Sequence, residues 1–334
     1  MDGSPTAPEA SGPALVVTDP VLCGALALYP LHAATAETPG APAYLTGPEA
    51  ERLGVLRVAE KPGGATVPEL LVHNTGALPL LLLEGETLVG AKQNRTLDAS
   101  VLVDAGTTTT IPVTCVEAGR WGAPRASARS PRHAPADLRR VKTATIAHPD
   151  RRRRKQSAVW DRVSRYQHEL ATSSPTSALE DVAEAWSAEV AALVAGCRPR
   201  PDQCGVAVAI DGTLRGLDCF DKPATLAAYW DGLVAGYALD ALRAVGGPAP
   251  ARGAVAALVT RAERATRTPV PTAGLGNGAT LVGDGVVGTE LTWLGTHVHI
   301  SVFVDNTDAP PPAPPAAPGP PAARPTRRSP PRSD

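Results

Sequence analysis

Two glutamates one residue apart, Glu84 and Glu86, end an apolar run. Four polar side chains, Lys92, Gln93, Asn94 and Arg95, follow shortly after. If a strand continues through both glutamates, their carboxylates share a face with Cα atoms roughly 6.6 Å apart. Mutual repulsion then raises one pKa, and the pair can divide acid and base work, as cleavage of a glycosidic or N-ribosyl bond requires. The competing arrangement is a tight turn at Gly85, with the glutamates capping it or pairing with Lys92 and Arg95. Arg95 offers a planar fork for phosphate or carboxylate. Gln93 and Asn94 can read sugar hydroxyls or base edges, so the block suits a nucleotide or phosphosugar. Only Gly90 precedes it, which does not indicate a backbone phosphate nest. The alternative is a polar network that holds a loop against a sheet.

A second predicted strand ends in Cys115, Glu117, Arg120 and Trp121. Glu117 is a third candidate acid, base or ribose contact. Arg120 joins the candidate ligand-binding set, and Trp121 offers either a face for stacking on a base or a place in the core. Cys115 and Glu117 share a face if the strand is regular. A thiolate nucleophile needs a base or cation beside it, and no His is near in sequence, so Cys115 is expected to be buried and inert. His297 and His299 form an H-x-H expected to face solvent; a metal there would need a third ligand that the sequence does not locate. Neither a metal nor a cofactor is assigned.

These residues need a scaffold. The chain of 334 residues is 43% hydrophobic but only 4% aromatic, so the core must be built mainly from Ala, Val and Leu. A net charge of −1 supplies no global field toward nucleic acid or a membrane surface. No apolar run approaches the roughly 20 residues of a membrane span. No basic-then-apolar leader opens the sequence, and the five cysteines are scattered. The expectation is a cytoplasmic protein with free thiols. Residues 1–14 and the Pro-rich tail 306–334 have little to bury and are expected to be disordered, the tail as a solvated polyproline segment, with docking in a partner's aromatic groove as the alternative. Between them one ordered body is expected over 15–305. Residues 15–121 read as short strands, 122–155 as a loop with a basic run at Arg151–Lys155, and 156–305 as mixed helices and strands. The fold class is α+β with a β-rich, sandwich-like first half. The basic run is expected to be a mobile, solvated loop, with nucleic-acid contact not favoured.

At EGETLVGAKQNR, VTCVEAGRW and QSAVWDRV the sequence resembles the ARG-and-rhodanese-phosphatase-superfamily-associated protein domain, a bacterial domain of unknown function. The stretches around GVAVAIDGTLRGLDCF, YWDGLVAGYALDAL and Trp293–Phe303 are similar too. The resemblance implies a link to NAD, ADP-ribose or RNA-repair systems and brings no reaction with it. It implies processing of an ADP-ribose- or nucleotide-derived ligand. Glu84, Glu86 and Glu117 would be acid/base groups, and Lys92, Gln93, Asn94, Arg95, Arg120 and Trp121 ligand contacts. A non-catalytic module that binds the same ligand class or a partner protein is the alternative. The lack of a complete triad, metal motif or P-loop favours it, and whether the chain is an enzyme stays open.

Overall fold

The computed structural model describes residues 14–34, 43–61, 68–120 and 125–305. Trp121 and the 306–334 tail lie outside them, as does 1–14 apart from its last residue. Short apolar runs broken at Pro20 and Gly24 form β1 (Leu15–Val17), β2 (Val21–Cys23) and β3 (Leu26–Ala33). β4 (Leu45–Thr46) runs into α1 (Gly47–Arg52) through a capping box, in which the Thr46 hydroxyl accepts from the Glu49 amide and the Glu49 carboxylate accepts from the Thr46 amide. Then come β5 (Leu56–Ala59), β6 (Glu69–Asn74), β7 (Leu80–Leu82), β8 (Glu86–Ala91), β9 (Arg95–Leu97), β10 (Val101–Val103), β11 (Thr108–Cys115) and β12 (Arg125–His133). Helices follow as α2 (Ala136–Ala147), a turn of 3-10 helix at Pro149–Arg154, α3 (Lys155–Glu169), α4 (Leu179–Ala185) and α5 (Ser187–Val194). The chain closes with β13 (Gly205–Ile210), β14 (Thr213–Phe220), α6 (Pro223–Ala241), α7 (Arg252–Arg264), β15 (Thr266–Val270), β16 (Asn277–Gly283), β17 (Val286–Trp293) and β18 (Thr296–Val304).

The α+β class with a β-rich first half is found as expected. Among the described residues, six strands form a sheet in the order β12-β8-β9-β11-β6-β5, and a smaller sheet, β10-β7-β4, packs on it. Leu80, Leu82, Val101 and Val103 of the smaller sheet meet Leu70, Val72, Leu88, Leu97, Ile111 and Val113 of the larger one, a sandwich-like core. The remaining strands form an antiparallel sheet in the order β1-β3-β13-β14-β18-β17-β16-β15, with β2 also on β3. Its central strands are buried on both faces; every residue of β13 is buried. One face packs Val206, Val208 and Phe303 against α6, and the other packs Ala207, Leu217 and Val302 against Val255, Leu258 and Val259 of α7. The N-terminal strands thus leave the first half and join the sheet of the second, a long-range pairing that local pattern does not encode.

Residues 122–155, expected as a loop, hold β12 and α2 instead. The loop reading failed at α2 for a physical reason: its buried face carries Arg139, Lys142, Thr143 and Thr145, so the helix lacks the apolar stripe that marks most helices. Arg139 is 1% exposed. Its Nε donates to Glu84 Oε2 at 2.8 Å, and its terminal nitrogens donate to the two oxygens of Asp218 at 2.7 and 3.2 Å. Lys142, one turn on, pairs with Glu84 Oε1 at 2.8 Å and donates to the Leu97 carbonyl. Tyr237 of α6 donates to Asp218 at 2.8 Å, and His299 Nε2 lies 3.3 Å from the same carboxylate. His299 Nδ1 is 2.7 Å from Ser100 Oγ, which accepts from the Glu84 amide at 2.9 Å. One buried polar network therefore joins the end of β7, the approach to β10, α2, β14, α6 and β18.

Both carboxylates are deeply buried, and burial alone would raise their pKa values. Arg139 and Lys142 outweigh burial and hold Glu84 below the ordinary carboxylate range; Arg139, with His299, does the same for Asp218. Removing the central cation leaves two buried carboxylates with one positive charge fewer: Glu84 keeps Lys142, and Asp218 keeps Tyr237 and His299. Arg139→Met is expected to lose roughly 3–5 kcal/mol of unfolding free energy, or to prevent folding. Chemical denaturation measures it, and a loss below about 1 kcal/mol would show that the network is not central.

Candidate functional site

The strand does not continue through the two glutamates. Gly85 makes a turn with φ of +87°, and a Cβ there would sit 2.6 Å from Arg139 Nε. The turn sends the carboxylates into different surroundings. Glu84 enters the Arg139–Lys142 network. Glu86 starts β8, 0% exposed; its Oε1 accepts from the Leu83 amide at 3.2 Å, and its Oε2 lies beside Gly47 and Tyr229. Burial raises the Glu86 carboxyl to about 7, against the pull of nearby Arg129 and the Leu83 amide. The pair thus diverges in proton affinity, but both groups are sealed from solvent.

The block from Lys92 to Arg95 is divided as well. The Lys92 amide and Arg95 Nη1 both donate to Glu60 Oε1 at 2.9 Å. Arg95 is fully buried, and Gln93 Oε1 lies 3.1 Å from the Cys115 thiol. Burial raises the Cys115 thiol despite Arg95 nearby, and Gln156 of α3 bonds both its backbone amide and its carbonyl. Cys115 and Glu117 do not share surroundings, because β11 ends at Cys115. The basic run is not a loose loop: it forms the 3-10 turn, and the next residue, Lys155, pairs with Asp98. Arg153 and Arg154 are exposed, whereas Arg95 is enclosed and paired, so the two do not build one anion surface.

Part of the second block does reach open space. A cleft of about 470 Å³ lies between the first residues of β12 and the chain around Thr176; Asn94, Glu117, Arg120, Arg125, Thr176 and Asp181 line it. That volume falls within the usual range for small-molecule sites, roughly 300–1,000 Å³. Ala118 and Gly119 bond back to Ser177 and Thr176 and fix one wall. Gly90 shapes the other: its φ is +99°, and a Cβ would lie 2.1 Å from the Ala126 carbonyl oxygen. Arg120 is fully engaged. Nε and Nη2 donate to Glu117 at 2.8 and 2.7 Å, Nη1 to the Ala91 carbonyl at 2.9 Å, and Nη2 also to the Gly90 carbonyl and Asn94 Oδ1. Glu117 Oε2 also accepts from the Asn94 amide at 2.9 Å. Burial would raise Glu117, but these bonds bring it below its ordinary range.

The structure therefore gathers Asn94, Glu117 and Arg120 at a cleft and leaves Glu84, Glu86, Gln93 and Arg95 inside the protein. Arg125 and Asp181, two further cleft residues, carry no sequence signal: Arg125 sits in the stretch expected as a loop, and Asp181 on an ordinary amphipathic helix. His299, expected to face solvent, is buried in the Asp218 network, whereas His297 pairs with Glu290 at 2.5 Å. A bulge between Leu291 and Thr292 breaks the register beside them. Among the described residues, no group of three or more His, Cys, Asp or Glu is placed to hold a metal ion. The expectation of five free thiols is corrected: Cys23 and Cys197, 174 residues apart, are disulfide-bonded where the end of β2 meets the chain after α5, and Cys115, Cys204 and Cys219 are free. No helix among the described residues is long and apolar enough to cross a membrane.

A family model, the ARG and Rhodanese-Phosphatase-superfamily-associated Protein domain, matches residues 14–303, and the chain belongs to that family. No curated protein and no solved structure matches the chain.

The raised Glu86 carboxyl makes stability depend on pH. An unfolded Glu titrates near 4.5 and the folded one near 7, so the folded state holds the extra proton between these values. This contribution is fully present below pH 4.5 and is lost as pH rises through 7. Its loss is expected to cost about 3 kcal/mol. Glu86→Gln, which cannot ionise, should flatten this part of the profile. Unfolding free energies of both proteins from pH 4 to 8.5 test the point; a difference between them that does not vary with pH refutes it.

Proposed function

We propose that this member of the family binds an ADP-ribose- or nucleotide-class ligand in the cleft formed by Asn94, Glu117, Arg120, Arg125 and Asp181, without turning it over. One observation carries the proposal. The cleft has the volume of a small-ligand site and holds the part of the polar block that reaches the surface, while Glu84 and Glu86 are enclosed. A general acid or base must come within hydrogen-bond reach of its substrate, which two sealed carboxylates do not. The family link to NAD, ADP-ribose and RNA repair supplies the ligand class, and a cytoplasmic setting belongs to the same proposal. Processing of the ligand is the second reading, favoured by the presence of Glu117 in the cleft lining.

Titration calorimetry with ADP-ribose, ADP and AMP tests binding, and the same compounds incubated with the protein test turnover. Saturable binding to at least ADP-ribose without turnover is expected. Arg125→Ala, which removes an exposed cation, should weaken binding about tenfold, the usual scale for a charge-assisted hydrogen bond. No binding by any of the three refutes the proposal. Turnover abolished by Glu117→Gln replaces it with the processing reading.

A further inference from the structure

The charged residues that line the cleft differ in how fully they are engaged. All three guanidinium nitrogens of Arg120 donate to protein acceptors, and both Glu117 oxygens accept from protein donors. A saturated pair of this kind holds the walls and has little left for a ligand. Two opposite charges of the lining are less engaged. Arg125, the first residue of β12, is exposed and forms no ion pair among the described residues. Asp181 is half-buried; its Oδ2 accepts from the Ser174 hydroxyl at 2.5 Å, and Oδ1 has no hydrogen bond among the described residues. The Ser174 bond fixes the direction of the carboxylate without using its second oxygen.

Resting on the ligand class proposed above, we infer that Asp181 and Arg125 form a recognition site for a 5-phosphoribosyl group, in which Asp181 accepts from vicinal sugar hydroxyls and Arg125 takes the phosphate. The complementarity is chemical. A carboxylate is an acceptor without donors, so it suits a diol and repels phosphate. A guanidinium is a donor without acceptors, so it suits phosphate. The Glu117–Arg120 pair is a positioning pair. A ligand with phosphate but no sugar hydroxyls would lose the Asp181 half, and one with hydroxyls but no phosphate would lose the Arg125 half. A site built to hydrogen-bond a hydroxyl discriminates strongly against the analogue that lacks it.

Ribose 5-phosphate and 2-deoxyribose 5-phosphate, titrated separately into the full chain and each competed against ADP-ribose, test the assignment. Wild-type protein is expected to bind ribose 5-phosphate at least about tenfold more tightly than the deoxy sugar. In Asp181→Asn, whose amide oxygen keeps the Ser174 bond, this preference should fall toward one. In Arg125→Ala both sugars should weaken together with the preference unchanged. Equal affinity of wild-type protein for the two sugars, with ADP-ribose still binding, overturns the inference and leaves the broader ligand class standing. An undiminished preference in Asp181→Asn does the same. If ADP-ribose, ADP and AMP all fail to bind, the ligand class itself is wrong and the inference falls with it. The comparison of the two sugars on wild-type protein decides the matter even if a variant does not fold.

Discussion

Arg139 is the group on which the rest of the molecule depends. An arginine in the interior is tolerated only when its charge is balanced and its donors are paired. Here Glu84 and Asp218 supply the balance from opposite parts of the chain, 55 residues before it and 79 after it. Glu84 lies in the turn after β7 of the smaller first-half sheet, and Asp218 lies in the central region of the large sheet. Each half buries its carboxylate against α2, whose apolar contribution to the core is small: Ala136, Leu138 and Ala144. Ion pairs therefore add to a modest apolar contact in holding the helix. Geometry is fixed more tightly this way than by apolar contact, because a forked guanidinium accepts few orientations.

The same logic recurs on a smaller scale at the cleft. Glu117 and Arg120 form an i,i+3 pair at the end of the first-half sheet, and Arg120 donates to the backbone carbonyls of Gly90 and Ala91 at the end of β8. Three segments, β8, the start of β9 and the chain after β11, are thereby tied at one point. The α4 approach is tied to the same point through the bonds from Ala118 and Gly119 to Ser177 and Thr176. A cleft whose buried charges are consumed by its own walls has few donors and acceptors of that pair left over.

Much of this was legible in the sequence, and the part that was not has a definite cause. The α+β class, the β-rich first half and the family were all visible in alternation, turn residues and the polar blocks. Asn94, Glu117 and Arg120 were visible as a polar group and are found together. Two kinds of information were missing. Long-range pairing, such as β3 with β13, is decided by contacts that local pattern does not record. Inverted burial was the other. Patterning arguments assume that apolar residues face inward, so a helix that points Arg139 and Lys142 at the core looks like a loop; a strand that begins Arg-Ala-Ser-Ala-Arg, exposed or half-buried throughout, instead looks like a linker because it has little to bury. Arg125 was lost with the second and Arg139 with the first.

The Gly85 turn shows why a pair of carboxylates one residue apart is an ambiguous signal. Spacing alone places the groups on one face only if the backbone stays extended. A glycine between them permits a positive φ, and the contact of Gly85 with Arg139 leaves no room for a side chain at that position. The turn then divides the labour differently from an acid and base pair. Glu84 is the counter-ion that lets Arg139 be buried, and it stays ionised. Glu86 sits among backbone and tyrosine, carries the raised proton affinity and is enclosed at 0% exposure. Divergent proton affinities are the usual mark of a catalytic pair, but they are sufficient only when a substrate can reach both groups. Here the divergence follows from folding: Glu84 is buried in direct ion pairs with Arg139 and Lys142, whereas the pull of nearby Arg129 does not outweigh the burial of Glu86.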